Sequence, residues 1–175
     1  NNVDDPVTLA DLKVNELIIK RINEKYKNIN WDILSEENVK TSKTFVTKND
    51  WVWVLDPLDG TKDFIQGTGN YAMHLALNFK QKPFIGFVLI PDKNQLWITD
   101  GKKTWCEKRD GSKYEQIPLK NRNLHEMTLV TSKNHGNESL RNLIQKINFC
   151  KVEIMGSIGC KIASIVMGES DIYIC

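Results

Sequence analysis

Two aspartates three residues apart follow an apolar run in segment 51–66, which reads WVWVLDPLDGTKDFIQ. Pro57 fixes its own φ and has no amide hydrogen, so an extended chain must turn there. Such a turn can bring the carboxylates of Asp56 and Asp59 and the carbonyl of Leu58 to one point. Ligands that are all oxygen atoms suit Mg²⁺ or Mn²⁺, and clustered carboxylates need a cation to offset their repulsion. The alternative is a turn in which the aspartates only satisfy backbone groups.

The next two residues, Gly60 and Thr61, favour phosphate binding. We expect a short helix at Thr61–Gln66, and Gly60 can adopt dihedral angles that other residues avoid. The free N–H groups at a helix N-terminus attract phosphate. Carboxylates that hold a metal beside such a position indicate metal-assisted phosphoryl hydrolysis.

Two further acidic positions precede this segment. Glu36 and Glu37 follow a short apolar run twenty residues before Asp56, and Asp11 lies near the start of the first predicted helix. Each has an ordinary interpretation when it is taken alone. The glutamates can be a solvated acidic pair, and Asp11 can cap a helix or stabilise its first turn.

The elements that must position these residues can be predicted from the hydrophobic periodicity. Apolar residues at helical spacing predict a first helix that Thr8 caps; they are Leu9, Leu12, Leu17, Ile18 and Ile22. Further helices are predicted at 137–147 and 161–167. Strands are predicted at 31–34, 51–55, 70–79, 83–90, 95–99, 103–107, 115–119, 127–131, 150–154 and 171–175.

The short spacing between the central strands predicts an antiparallel meander. A helix, an antiparallel sheet and then alternating helices and strands define an α/β (α+β) fold, a layered α/β sandwich with a large antiparallel sheet. We expect an N-terminal α+β metal-binding subdomain at 1–122. The start of a C-terminal α/β subdomain is expected at 123–175.

Composition narrows the class of protein. The 175 residues carry a net charge of +2 without a basic block, so we expect no nucleic-acid polymer as a partner. The four cysteines form no CxxC pair, which is typical of reduced thiols. Apolar runs fall short of the roughly 18 residues of a transmembrane span. These features favour a cytoplasmic protein.

Five segments in order carry a resemblance to a known family: DDPVTLAD (4–11), LSEE (34–37), WVLDPLDGTKDF (53–64), TSKNH (131–135) and GSIGCK (156–161). Together they resemble the lithium-sensitive, Mg²⁺-dependent phosphatase superfamily. That superfamily includes inositol monophosphatases, fructose-1,6-bisphosphatases and 3′(2′),5′-bisphosphate nucleotidases. The resemblance implies their fold, which agrees with the layered sandwich predicted above.

The resemblance also implies roles for individual residues. Two or three Mg²⁺ ions would be held by Glu36, Asp56, the Leu58 carbonyl and Asp59. Asp11 and Thr61 would orient the attacking water and help to deprotonate it. The amides of Gly60 and Thr61 would hold the phosphate.

Three segments favour a nucleotide as the small phosphorylated substrate. GTKDF, TSKNH and GSIGCK resemble CysQ-type nucleotidases, which implies substrate contacts for His135, Ser157 and Lys161. The expected reaction removes the 3′-phosphate of adenosine 3′,5′-bisphosphate (PAP) or of its sulfated form, PAPS. The alternatives are an inositol monophosphatase and, more distantly, a fructose-1,6-bisphosphatase. Each segment also has a structural interpretation, with Lys161 as an ordinary lysine at a helix start.

Three expectations remain from the sequence. His74 and His125 should be structural, and His74 should pack within an apolar strand. The last metal-site carboxylate of the family lies in a Trp-Asp motif beyond the strand at 171–175, so an inactive fragment that binds metal or ligand without turnover is an alternative. Family members are often dimers, so a homodimer is expected on resemblance alone.

Overall fold

The structure is a computed structural model that describes residues 8–41, 47–115, 121–133 and 138–175. Its helices are α1 (Leu9–Lys25), α2 (Glu36–Thr41), α3 (Thr61–Gln66), α4 (Glu138–Ile147) and α5 (Ile158–Val166). The first six strands are β1 (Asp32–Ser35), β2 (Trp51–Asp59), β3 (Ala72–Phe79), β4 (Lys82–Ile90), β5 (Gln95–Thr99) and β6 (Thr104–Lys108). The last four are β7 (Lys113–Glu115), β8 (Thr128–Ser132), β9 (Lys151–Met155) and β10 (Ile172–Ile174). No helix in these ranges is long and apolar enough to cross a membrane.

The first seven strands form one sheet in sequence order, from β1 to β7. Only β1 and β2 pair in parallel, and the other neighbours are antiparallel. The predicted meander is therefore confirmed. Of the strand predicted at 115–119, only Glu115 is described, where it ends β7.

Helix α1 begins where the sequence predicts. Thr8 caps it, and its hydroxyl accepts a hydrogen bond from the Ala10 amide at 3.2 Å. Asp11 completes the capping box. Of the apolar residues that predict this helix, Leu9, Leu12 and Leu17 are exposed. The buried residues are instead Asp11, Asn15 and Ile22.

A second, all-parallel sheet has the strand order β10-β8-β9. Helix α5 begins three residues before its predicted start, because Ser157 caps it and accepts a hydrogen bond from the Cys160 amide. One hydrophobic core connects both sheets through α5: Ala72, Ile90, Trp97, Cys106, Val130, Met155, Cys160 and Ala163. The sheets lie on either side of the predicted boundary at residue 122, and the division into subdomains stays a prediction.

Candidate active site

The site begins at the C-terminal end of β2. Asp56 Oδ1 accepts a hydrogen bond from the Leu58 amide at 3.1 Å, a local contact across the intervening proline. The pairing of β2 with β3 is irregular between Asp56 and Asp59. Gly60 then adopts the left-handed conformation with φ of 85°, and its carbonyl accepts from the Asp63 amide at 2.9 Å. The turn predicted at Pro57 is wrong in its position, because β2 continues through the proline to Asp59 with irregular pairing and the chain turns at Gly60.

Gly60 is enclosed as well as left-handed. A Cβ at this position would lie 2.9 Å from the Asn70 carbonyl oxygen and 3.2 Å from the Ser157 Cβ. Because backbone cannot move aside as a flexible side chain does, any larger residue would displace the turn. Glycine is required here by space and by φ.

Asp56, near the end of β2, has two acidic neighbours, Glu36 and Asp59. The pKa of Asp56 is raised from 3.8 to about 7 by burial, by the charges of Glu36 and Asp59, and by a hydrogen bond with Glu36. Burial is the largest of these causes, and the like charges of the two neighbouring carboxylates add to it. The structure thus brings the predicted ligand Glu36 to Asp56 from another element, α2.

The side chains of Asp11 and Thr61 lie close together, as predicted, although 50 positions separate them in the sequence. Thr61 Oγ1 donates to the Leu58 carbonyl at 3.0 Å and lies 3.4 Å from Asp11 Oδ1. The other oxygen of Asp11 accepts from the Thr8 amide at 2.8 Å. One carboxylate therefore caps α1 and faces Thr61, and the catalytic role of Asp11 stays a prediction.

Asp59 is held from the second sheet. Its Oδ2 accepts from Ser157 Oγ at 2.6 Å and from the Gly159 amide at 3.2 Å. Ser157 is fully buried, and its hydroxyl is committed to Asp59 and the Cys160 amide. The structure places it behind a predicted metal ligand, and its substrate contact stays a prediction.

Lys161 lies inside the protein, with 2% of its surface exposed. Its Nζ donates to Ser132 Oγ at 3.0 Å, the Gly156 carbonyl at 2.9 Å and the Met155 carbonyl at 3.3 Å. Burial lowers its pKa. The ammonium joins the start of α5 to β8 and β9, so the interpretation as an ordinary helix-start lysine is incomplete. Its contact with a second phosphate stays a prediction.

The predicted substrate residue His135 lies outside the described residues. Its neighbour Lys133 is described, and its Nζ donates to Gln66 Oε1 at 2.6 Å and lies 3.8 Å from Asp63 Oδ1. The TSKNH segment therefore begins beside α3, the helix that follows the carboxylate turn.

His74 is the residue at this site that sequence analysis missed. Its Nε2 lies 3.3 Å from Asp59 Oδ2, and its Nδ1 lies 3.9 Å from Asp56 Oδ2. Burial lowers the pKa of the imidazole, and the charge of Asp59 opposes that effect. The register of the predicted hairpin could have revealed it, because His74 on β3 is the cross-strand partner of Asp56 on β2.

The donor set fits a hard divalent cation. Glu36, Asp56 and Asp59 are carboxylates, and the Leu58 carbonyl adds a neutral oxygen. Within the described ranges, no three His, Cys, Asp or Glu side chains converge into a metal-binding group. Glu36 and Asp56 are instead hydrogen-bonded to each other, an arrangement that a cation would replace.

This fold agrees with comparisons to known proteins. The model of the inositol monophosphatase family matches residues 1–175, and the chain belongs to that family. The 3′(2′),5′-bisphosphate nucleotidase CysQ of Buchnera aphidicola is 32% identical over 96% of this chain and 61% of its own length. The chain thus spans about three fifths of that relative.

Solved structures give the same fold. Inositol monophosphatase II from Staphylococcus aureus is 26% identical, with a TM-score of 0.74 over 93% of this chain and 59% of its own. An IMPase from Thermotoga maritima is 21% identical, with a TM-score of 0.77 over 99% of this chain and 63% of its own. The second likeness concerns the fold alone.

Proposed function

We propose that the chain carries the metal site of a Mg²⁺-dependent phosphomonoesterase that removes the 3′-phosphate of PAP or PAPS. The observation that carries this proposal is geometric: Glu36 reaches Asp56 from α2, and Thr61 Oγ1 lies 3.0 Å from the Leu58 carbonyl and 3.4 Å from Asp11 Oδ1. Burial and the like charges of Glu36 and Asp59 also raise the pKa of Asp56 to about 7. Carboxylates gathered at this cost in free energy fit a site that binds cations. The CysQ relatives favour a nucleotide over an inositol phosphate.

The metal ligands would be Glu36, Asp56, the Leu58 carbonyl and Asp59. When bound, Mg²⁺ lowers the pKa of a coordinated water and neutralises charge on the leaving oxygen. Thr61 lies between the Leu58 carbonyl and Asp11, so its hydroxyl can accept from a water while it donates to Asp11 Oδ1. Asp11 would therefore receive the proton through Thr61. Gly60 and Thr61 would hold the phosphate by their amides.

Phosphate release tests the proposal on this chain and on the complete product of its gene. With Mg²⁺ present, we expect release from PAP to exceed release from inositol 1-phosphate by about tenfold or more, a discrimination that substrate contacts can supply. Asp56→Asn should abolish both activities. The reverse ranking would favour an inositol monophosphatase. Mg²⁺ binding without turnover by this chain would favour the inactive fragment.

A further inference from the structure

We infer that His74 is a positioning residue that holds the Asp59 carboxylate in place for metal binding. The inference rests on the proposed function, because it assigns Asp59 to the cation. It concerns a side chain that the family motifs do not include, on the strand next to the one that carries the aspartates.

The first observation is how Asp59 is held. Ser157 Oγ and the Gly159 amide donate to Oδ2, and His74 Nε2 lies 3.3 Å from the same oxygen. Among the described residues, these three groups around Asp59 all lie on the side of Oδ2. Holding one carboxylate oxygen leaves the other directed to a cation, which is how outer partners orient metal ligands.

The second observation is that His74 lacks a well-aligned partner. Its Nε2 is buried and makes no hydrogen bond to the residues that the structure describes, although Asp59 Oδ2 is near. A buried ring nitrogen without a partner is costly, so a small rotation toward Asp59, with the imidazole proton on Nε2, is favourable. We therefore expect His74 and Asp59 to form a hydrogen bond when a cation fixes the carboxylate.

The third observation is the space made for the ring. A Cβ on Gly159 would lie 2.4 Å from His74 Nε2 and 2.8 Å from Val88 Cγ1. The imidazole therefore packs directly on the backbone of α5, in the turn whose amide donates to Asp59. Histidine, glycine and aspartate form one packed unit between the two sheets.

Mg²⁺ affinity measured by calorimetry tests the inference on the purified chain. We expect His74→Leu to raise the Mg²⁺ dissociation constant about 10- to 100-fold, the usual effect of removing an outer partner of a ligand. His74→Gln should restore it to within about fivefold, because its amide nitrogen reaches the position of Nε2. The exposed His125, changed to Leu, is the matched control and should leave affinity unchanged.

Several outcomes would overturn the inference. The first is a Mg²⁺ affinity of the Leu variant within about twofold of that of the unsubstituted chain. The second is an equal loss of Mg²⁺ affinity in the Leu and Gln variants, which would indicate that His74 acts by packing alone. Melting curves in EDTA check folding. If the Leu variant does not fold, His74→Asn replaces it. The asparagine amide reaches the position of Nδ1, beside Asp56, but is too short to reach Asp59. This variant should therefore also bind Mg²⁺ more weakly than the unsubstituted chain. Nitrogen coupling in the EPR spectrum of bound Mn²⁺ would make His74 a direct ligand and overturn the positioning role.

The outcomes that would overturn the proposed function can be told apart from those that would overturn the role of His74. If the unsubstituted chain binds neither Mg²⁺ nor Mn²⁺, both statements are overturned. If it binds Mg²⁺ with the predicted dependence on His74 but releases no phosphate from PAP, only the proposed function is overturned.

Discussion

Gly156 lies directly against the carboxylate of Asp63. A Cβ on Gly156 would come within 1.9 Å of Asp63 Oδ2 and 3.0 Å of its Cγ. Asp63 is 3% exposed, and its other oxygen accepts from Thr68 Oγ1 at 2.7 Å, so the side chain cannot swing freely into solvent. This contact joins α3, which follows the carboxylate turn, to the loop before α5.

Gly156→Ala should therefore destabilise the protein without removing any hydrogen bond. We expect a loss of about 1–3 kcal/mol in the free energy of unfolding, as for other overpacked sites. Urea denaturation measures it. Gly111→Ala is the control, because its Cβ would meet no atom within 4 Å and only its φ of +85° is unfavourable. A smaller loss at Gly156 than at Gly111 would contradict the packing argument.

The raised pKa of Asp56 predicts a pH dependence of stability in EDTA. The unfolded carboxyl loses its proton near its ordinary pKa of 3.8, whereas the folded one holds it to about pH 7. The folded state therefore binds more protons between these values, and stability from this group falls as pH rises from about 4 to 7. Asp56→Asn should remove that fall and be more stable than the unsubstituted chain at pH 8, by about 2 kcal/mol after allowing for screening.

Magnesium should reverse this ranking. A cation that binds only the folded state stabilises it by mass action, so melting temperatures should rise with Mg²⁺ for the unsubstituted chain and not for Asp56→Asn. Equal shifts in both proteins would separate Asp56 from the metal site. The measurement needs only thermal melts at pH 5 and pH 8, with EDTA or with Mg²⁺.

The contacts made by short segments could be predicted from the sequence. The left-handed turn at Gly60 follows from the conformational freedom of glycine, and the meander follows from closely spaced β-rich runs. The capping box of α1 was predicted from Thr8 and Asp11. In each case the interacting residues are neighbours in the chain, where local conformational preferences decide.

Contacts between residues that are distant in the sequence could not be predicted in this way. Ser157 meets Asp59 across 98 positions of sequence, and Lys161 meets Ser132 across 29. Residue type alone does not distinguish a serine whose hydroxyl binds a carboxylate from one whose hydroxyl contacts a substrate. The exposed leucines of α1 show the same limit, since helical periodicity identifies a helix but not the face that packs.

Lys161→Met tests whether the buried ammonium is structural. The substitution leaves the carbonyls of Met155 and Gly156 and the Ser132 hydroxyl without their common donor, so we expect a loss of about 1–3 kcal/mol in urea denaturation. Lys62→Met is the control, because Lys62 is only partly buried. Unchanged stability together with weaker PAP binding would instead support the predicted contact between Lys161 and a phosphate.

Arg122 and Asp171 form a partly buried ion pair at the start of β8, in the second sheet. Arg122 Nη1 lies 2.8 Å from each carboxylate oxygen, and Asp171 Oδ2 also accepts from the Thr128 amide at 2.8 Å. Because the Asp171 side chain is only 9% exposed, Arg122→Met strands a buried charge and should cost about 2–3 kcal/mol. The exposed Lys80–Asp50 pair, 3.8 Å apart, is the control and should contribute less than about 0.5 kcal/mol. Double-mutant cycles in urea measure both pairs, and equal coupling energies would show that burial does not decide their strength.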